Sequence, residues 1–302
     1  MHHTIKSVLI TGGTHGNESS GVLIVEQYLK NNEAQSMCSS ANIAFTLVNK
    51  AAIKANCRYI DEDLNRQFTP ELLNLTTLPH QKITLPYEVS LAHKFNQQYG
   101  PKDQNSENSN TDFIIDIHNT TSNMGPTLIV LVNDSFHQQL ARYVKNLMPE
   151  AIILLEDGKP YAENGYLCTV AKRSVMVEVG PQQQGKVEQK VLHQAKRLTE
   201  SVLRFIDKYN KSELDNLPPV EAFRLGKEVH YPLNKHDQRV AELHKNIVNA
   251  DFKALNKGEP CFSNGAGNEI LWEEETTYPH FIGEAAYSHL DIAFATSTKI
   301  LF

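Results

Sequence analysis

The stretch "SVLITGGTHGNESSGVLIVEQYLK" (residues 7–30), followed after a short polar interval by "NIAFTLVN" (residues 42–49), sets the architecture of this chain. Residues 7–11 and 42–49 are apolar runs of strand length, and residues 18–30 between them carry apolar side chains at helical spacing. A strand, a helix and a second strand in that order open an α/β sheet. The Gly-rich turn after the first strand aims backbone N–H groups at an anion, as phosphate-binding loops do. No G-x-G-x-x-G is present, however, and no Lys-Ser or Lys-Thr pair follows the glycines. His15 and Glu18 stand there instead, three residues apart, a spacing at which both side chains can point the same way. Imidazole and carboxylate are ordinary zinc ligands, and a catalytic zinc takes three of them and keeps a position open. Taken alone, a surface turn with an incidental His explains the stretch as well, so the rest of the chain must decide.

With 302 residues, of which 40% are hydrophobic, the chain can bury one large domain, or a large one with a smaller appendage. A net charge of −6 without a long basic run excludes a nucleic-acid binder. It leaves room for a small anionic substrate held by a local Arg cluster. Cys38, Cys57, Cys168 and Cys261 are scattered with no C-x-x-C pair, which is reduced, cytoplasmic usage. His2 and His3 read as a frayed end, and the chain enters its first strand with no signal peptide. No apolar run approaches membrane-spanning length, so no membrane partner is expected.

Further along, residues 51–86 are loop-rich, "YEVSLAHKFNQQYG" (87–100) is a helix, and "KDQNSENSN" (102–110) is a polar loop. Strands are expected within 112–125 and over 127–133, 151–156 and 174–180, with helices over 135–147 and 187–209. Near residue 210, "NKSELDNLPPVEAF" marks a domain edge. Beyond it the pieces are short and β-leaning: "EVHYP", "ELHKNI", "EPCF", "EILWE" and "TTYPHFIG". The expected division is therefore 1–209 for the main α/β domain and 210–302 for a smaller β-rich one.

The run Asp116-Ile117-His118-Asn119 ends a strand about one hundred residues after the His15/Glu18 pair. The carboxyl edge of such a sheet is where open α/β folds place their ligands, and both pieces fall on it. Two His and one Glu converging there outweigh the surface-turn reading. Glu178, in the middle of the apolar strand "SVMVEVG", is costly to bury ionised, which suits a base beside a metal-activated water. An exposed face of an edge strand would also place it there. Arg58, Asn65 and Arg66 cluster in "RYIDEDLNRQF" (58–68), where guanidinium forks can hold carboxylates and oxyanions. Asp61, Glu62 and Asp63 in the same run could instead neutralise them locally.

"GGTHGNE", "RYIDEDLNRQF", "DIHNTTSNMG", "VEVGPQQQG" and "NEI…YPHFIGEAAY", in this order, resemble the aspartoacylase branch of the aspartoacylase/succinylglutamate desuccinylase family. The resemblance runs from about residue 7 to the C-terminus. It implies a zinc carboxypeptidase-like mixed sheet flanked by helices, with a β-rich C-terminal domain over the active-site channel. It also implies one Zn²⁺ per subunit on His15, Glu18 and His118, with Glu178 as general base and Arg58 polarising the scissile carbonyl. Asn65 and Arg66 would grip the substrate's α-carboxylate, with Asn119 and Tyr287 also on the substrate. Asp63 or Asp116 would hydrogen-bond the outer nitrogen of a zinc histidine. Several relatives are dimers, so a homodimer is among the partners implied.

The activity implied is hydrolysis of an N-acyl, chiefly N-acetyl, amino acid such as N-acetyl-L-aspartate. One departure bears on the substrate. Where aspartoacylase carries an Arg for the side-chain carboxylate, ten residues before the base, this chain has Cys168 in "NGYLCTVAK". Either Lys172 or Arg173 would have to replace it, or the substrate is an N-acyl aromatic or apolar amino acid, as for the aminoacylase-3-like relatives. A zinc carboxypeptidase acting on peptides and a non-catalytic zinc-binding module are the remaining readings.

Overall fold

The computed structural model describes residues 4–31, 33–75, 85–103 and 108–302. His2, His3, part of the 51–86 loop and part of the 102–110 loop lie outside the described residues.

The first half contains β1 (Ser7–Gly12), α1 (Ser19–Asn31), α2 (Glu33–Met37), β2 (Asn42–Leu47), α3 (Lys50–Ala55), α4 (Pro70–Leu73), α5 (Tyr87–Tyr99) and β3 (Phe113–Asn119). It continues with β4 (Gly125–Val130), α6 (Ser135–Leu147), β5 (Ile152–Leu155), β6 (Arg173–Gly180) and α7 (Gln189–Asn210). The remainder holds β7 (Glu221–His230), β8 (Glu242–Leu243), β9 (Pro260–Ser263), β10 (Glu269–Leu271) and β11 (Ile292–Leu301).

A mixed sheet of 8 strands in the order β11-β7-β5-β4-β6-β3-β1-β2 forms the centre. β2, β1, β3 and β6 run parallel, and β4 turns back against β6. β5 and β7 follow the direction of β4, and β11 closes the edge antiparallel to β7. Every residue of β3 is buried, as a strand covered on both faces requires. One face packs Ile10, Ile115, Ile117, Val130 and Val177 against Ile24 of α1, Leu140 of α6 and Val202 and Phe205 of α7. The opposite face carries Leu9, Ile114, Ile129 and Met176 under Ala92 and Phe95 of α5 and under Leu167 and Val170. Since side chains alternate along a strand, Asp116 and His118 share this second face with Ile114, and Glu178 shares it with Met176. The turn after β1 is packed to backbone contact: a Cβ on Gly12 would lie 2.2 Å from the Gly21 carbonyl oxygen, and one on Gly16 2.1 Å from the Ala52 carbonyl carbon.

Within the loop-rich 51–86 expectation the structure has α3 and α4. The six residues of α3 are framed by Asn49, which caps its first turn, and by Asn56 in the left-handed region at φ 50. The C-terminal part is β-rich, as expected, but its two longest strands, β7 and β11, belong to the edge of the central sheet. The antiparallel β8, β9 and β10 form a separate small sheet. Around it Tyr231, Phe262, Trp272, Ile282 and Phe294 make a core of their own. All four cysteines are unpaired. Among the described residues no helix is long and apolar enough to cross a membrane.

Candidate active site

The turn leaving β1 brings His15 and Glu18 together through a bond from the Glu18 N–H to the His15 carbonyl. The end of β3 presents His118, whose register partner on β6 is Glu178. Glu18 lies between the two imidazoles, with Oε1 2.6 Å from His15 Nδ1 and Oε2 2.9 Å from His118 Nδ1. One ligand atom from each of the three buried residues falls within 4.8 Å of the others. Both outer ring nitrogens are occupied by carboxylates: His15 Nε2 lies 2.9 Å from Asp63 Oδ1, and His118 Nε2 lies 2.8 Å from Asp116 Oδ2. Both aspartates thus lie against an imidazole, where the sequence offered one or the other. With each Nε2–H turned to its aspartate, a neutral imidazole would leave its Nδ1 lone pair facing Glu18. Lone pairs and a carboxylate turned toward one point need a cation between them, so the donor set fits zinc.

The electrostatics agree. Burial alone would raise the Glu18 carboxyl, but His15 and His118 outweigh it and hold the group far below the usual range. Burial pushes His118 down, yet Asp116 and Glu18 hold it well above an ordinary imidazole. Charges that favour a proton at that spot favour a metal ion as well. The Thr11 and Thr14 hydroxyls donate to Asp116 Oδ1 at 2.6 and 2.8 Å, which fixes the carboxylate behind His118.

Arg58 joins this centre to the next segment. Its Nη1 donates to Glu18 Oε1 at 3.1 Å, and its Nε and Nη2 fork onto Asp63 Oδ2 at 3.1 and 3.0 Å. The local acids of "RYIDEDL" therefore do partner Arg58, but through Asp63, which also holds His15. The loop keeps its shape because the fully buried Glu88 of α5 accepts the backbone N–H groups of Ile60, Asp61 and Glu62 at 2.7, 2.9 and 3.1 Å. Glu88→Ala leaves these donors without their acceptor and is expected to cost about 2–4 kcal/mol in urea denaturation. A change below about 0.5 kcal/mol would mean the loop does not depend on it.

A cavity of about 520 Å³ opens from His15, Glu18 and His118 along the sheet face. Every expected substrate-binding residue lines it: Asn65, Arg66, Asn119 and Tyr287, along with Arg58 and Glu178. The Asn119 amide is largely engaged within the protein, accepting from Ser20 N at 3.0 Å and donating to Val179 O at 3.1 Å. Tyr287 reaches in from the far part of the chain, its phenol pushed up to about 12 by burial, against the pull of Arg66 and Arg58. Burial likewise raises Glu178 well above an ordinary carboxyl; His118 opposes this, while Glu18 and Glu284 reinforce it.

Cys168 is fully buried and lines no part of the cavity. Lys172 and Arg173 do not take its place. Lys172 is paired with Asp112 at 2.9 Å, and Arg173 lies over the Phe136 ring on the other side of the sheet. The cavity holds acids that the sequence reading passed over. Glu156, raised by burial, accepts from the Tyr166 hydroxyl at 2.5 Å. The buried Glu284 accepts the Thr121 N–H at 2.7 Å and the hydroxyls of Thr120 and Thr121. Its signal was its place in "GEAAY", opposite the hydroxyl run of "NTTS"; Glu156, at the end of a plain apolar strand, offered none.

Residues 4–206 match the succinylglutamate desuccinylase/aspartoacylase catalytic domain, and residues 218–299 match the AstE/AspA barrel-sandwich hybrid domain. The chain belongs to this family, and with it to the amide-hydrolysing enzymes. It is 37% identical to an aspartoacylase of Danio rerio over 299 residues, 97% of this chain and 92% of the relative. It is 35% identical to an N-acyl-aromatic-L-amino acid amidohydrolase (carboxylate-forming) of Homo sapiens, over 99% of this chain and 92% of that one. The crystal structure of murine aminoacylase 3 superposes with a TM-score of 0.89 at 33% identity, covering 100% of this chain and 98% of that chain.

Proposed function

We propose that the protein hydrolyses the amide bond of an N-acyl, chiefly N-acetyl, amino acid, releasing a carboxylate and the free amino acid. One zinc ion would be held by His15, Glu18 and His118. The observation that carries this reading is the buried ligand triad with Glu178 beside it on the adjoining strand. When bound, zinc supplies a Lewis acid for the acyl carbonyl and a lowered pKa for the attacking water. Glu178, raised by its surroundings, accepts the proton of that water and returns it to the departing amine. Arg58, held in place by Asp63, faces the oxyanion that would develop on the acyl carbonyl oxygen. Asn65 and Arg66 take the α-carboxylate, with Tyr287 and Asn119 completing the wall. Asp63 and Asp116 keep the two imidazoles in one tautomer.

We divide the chain at residue 210 into a catalytic domain (1–209) and a covering domain (210–302). Leu225, Phe281, Tyr287 and Ile292 of the latter wall the cavity, which suits a small substrate better than a long peptide. We place the enzyme in the cytoplasm, since its unpaired cysteines suit a reducing compartment.

N-acetyl-L-aspartate is one substrate class for this chemistry, and N-acyl aromatic or apolar amino acids are the other. The lining favours the second. Ile129, Met176, Leu225, Phe281 and Ile292 are apolar, the further cation Lys159 stands among the acids Glu156 and Glu228, and Cys168 is out of reach. Zinc-loaded protein is expected to cleave N-acetyl-tyrosine and N-acetyl-leucine with kcat/KM about tenfold or more above N-acetyl-aspartate. The reverse order would restore the aspartate reading, and no turnover of any of the three would sink the hydrolase reading.

A further inference from the structure

Lys102 follows α5 and lines no part of the cavity, yet its ammonium is spent on the segments that do. Its Nζ donates to the Phe68 carbonyl at 2.9 Å, the Asn164 carbonyl at 2.5 Å and Thr169 Oγ1 at 2.6 Å. An ammonium has three donors, and all of them go to neutral acceptors. Phe68 closes the segment that carries Asn65 and Arg66, while Asn164 and Thr169 bracket the segment that carries Tyr166. The two segments meet at three further points. Leu167 N donates to Asn65 Oδ1 at 2.8 Å, Phe68 N donates to the Gly165 carbonyl at 3.2 Å, and the Arg66 guanidinium sits 5.3 Å over the Tyr166 ring. The fit leaves no slack, because a Cβ on Gly165 would lie 2.9 Å from the Arg66 carbonyl oxygen.

Keeping a cation there is costly. Burial pushes the Lys102 amine down to about 8, and the titratable groups that oppose it are Cys168, from the turn at Leu167–Val170, and Glu71 of α4. Cys168 is itself raised by burial, so it stays a neutral thiol. A methionine would fill the same space without the desolvation penalty. What the ammonium adds is three donors converging on two segments from a single point.

We infer that charged Lys102 is a positioning residue that fixes the spacing of Arg66 and Tyr166, and thereby the affinity for the substrate's carboxylate. The inference rests on the reading of this cavity as the N-acyl amino acid site. Acting on binding and not on the reacting atoms, Lys102 should appear in KM and leave kcat nearly unchanged. As pH rises through about 8 the amine loses its charge and one N–H, so wild-type KM should climb there.

The test is steady-state kinetics of the zinc-loaded enzyme on its best N-acetyl amino acid between about pH 6.5 and 9.5, the window that spans this titration. Lys102→Met should raise KM about tenfold at neutral pH, with kcat and metal content within about twofold of wild type. Lys102→Arg keeps its charge throughout and should flatten the alkaline rise in KM. Thr169→Val, which removes one acceptor of the amine together with the hydroxyl's own bond to the Tyr166 carbonyl at 2.7 Å, should raise KM severalfold and serves if the Met variant does not fold. An identical alkaline rise in Lys102→Arg, or an unchanged KM in Lys102→Met, would overturn the inference. Hydrogen exchange of the Phe68 and Leu167 amides needs no turnover. Protection there should fall in Lys102→Met relative to wild type, and unchanged protection overturns the inference even if every substrate fails and the hydrolase reading falls with them.

Discussion

Glu178→Gln is expected to retain a full complement of metal and to lose turnover by about a thousandfold or more, within the range a positioned general base contributes. The argument starts from β6. Glu178 stands beside His118 in register and on the same face as Met176, so its carboxyl enters the cavity next to His15, Glu18 and His118. A carboxyl on the floor of an otherwise apolar strand is destabilised as an anion, and the negative charges of Glu18 and Glu284 add to that effect. It therefore holds a proton more firmly than an exposed carboxylate would. That is the property needed by a group that takes a proton early in the reaction and returns it to an amine later. Glutamine keeps the shape and the hydrogen-bonding reach but can do neither. Because His15, Glu18 and His118 are untouched, metal analysis of the purified variant should match wild type. A kcat within tenfold of wild type, with metal bound, would remove Glu178 from the reaction.

The parts of this picture that were legible in the sequence are those whose cause is local. The β1-α1-β2 opening shows itself because each element is long enough for its period to repeat and glycines separate them. The meeting of His15 and Glu18 shows itself because a tight turn and a three-residue spacing leave them few directions in which to point. Other features depend on partners far along the chain. α3 is only six residues long and owes its start to the Asn49 side chain. Glu88 looks like an ordinary acid in the first turn of a helix, where the dipole favours it. Only the fold carries it under residues 60–62, 26 to 28 positions away. Lys102 looked like part of a solvated loop for the same reason. β11 was missed because in its second half, "STKIL", all but the half-buried Ile300 are polar or exposed, and its pairing with β7 spans some seventy residues. Cys168 shows the limit from the other side. Counting back from Glu178 located it at the family's substrate-binding position, but counting does not reveal that the side chain faces the core.

The second large effect concerns the metal. His118→Ala should reduce zinc from about one equivalent per chain to below about a tenth after dialysis, since two ligands remain where three are needed. The loss is sharper than ligand count alone suggests. Glu18 is held as an anion by both imidazoles, and removing one weakens the charge balance that makes the site attractive to a cation. Asp116 would retain the Thr11 and Thr14 hydroxyls on one oxygen while its other oxygen, buried and formerly bonded to His118 Nε2, loses its partner. A stability loss of about 3 kcal/mol is therefore expected alongside the loss of metal. Asp116→Asn separates the two contributions, because it leaves all three ligands and removes only the carboxylate behind one of them. Its zinc affinity should fall by about 10–100-fold, with binding still stoichiometric at high metal concentration. Wild-type metal content in His118→Ala would sink the ligand set. Wild-type affinity in Asp116→Asn would instead leave the triad standing and reduce the aspartate to a structural partner of Thr11 and Thr14.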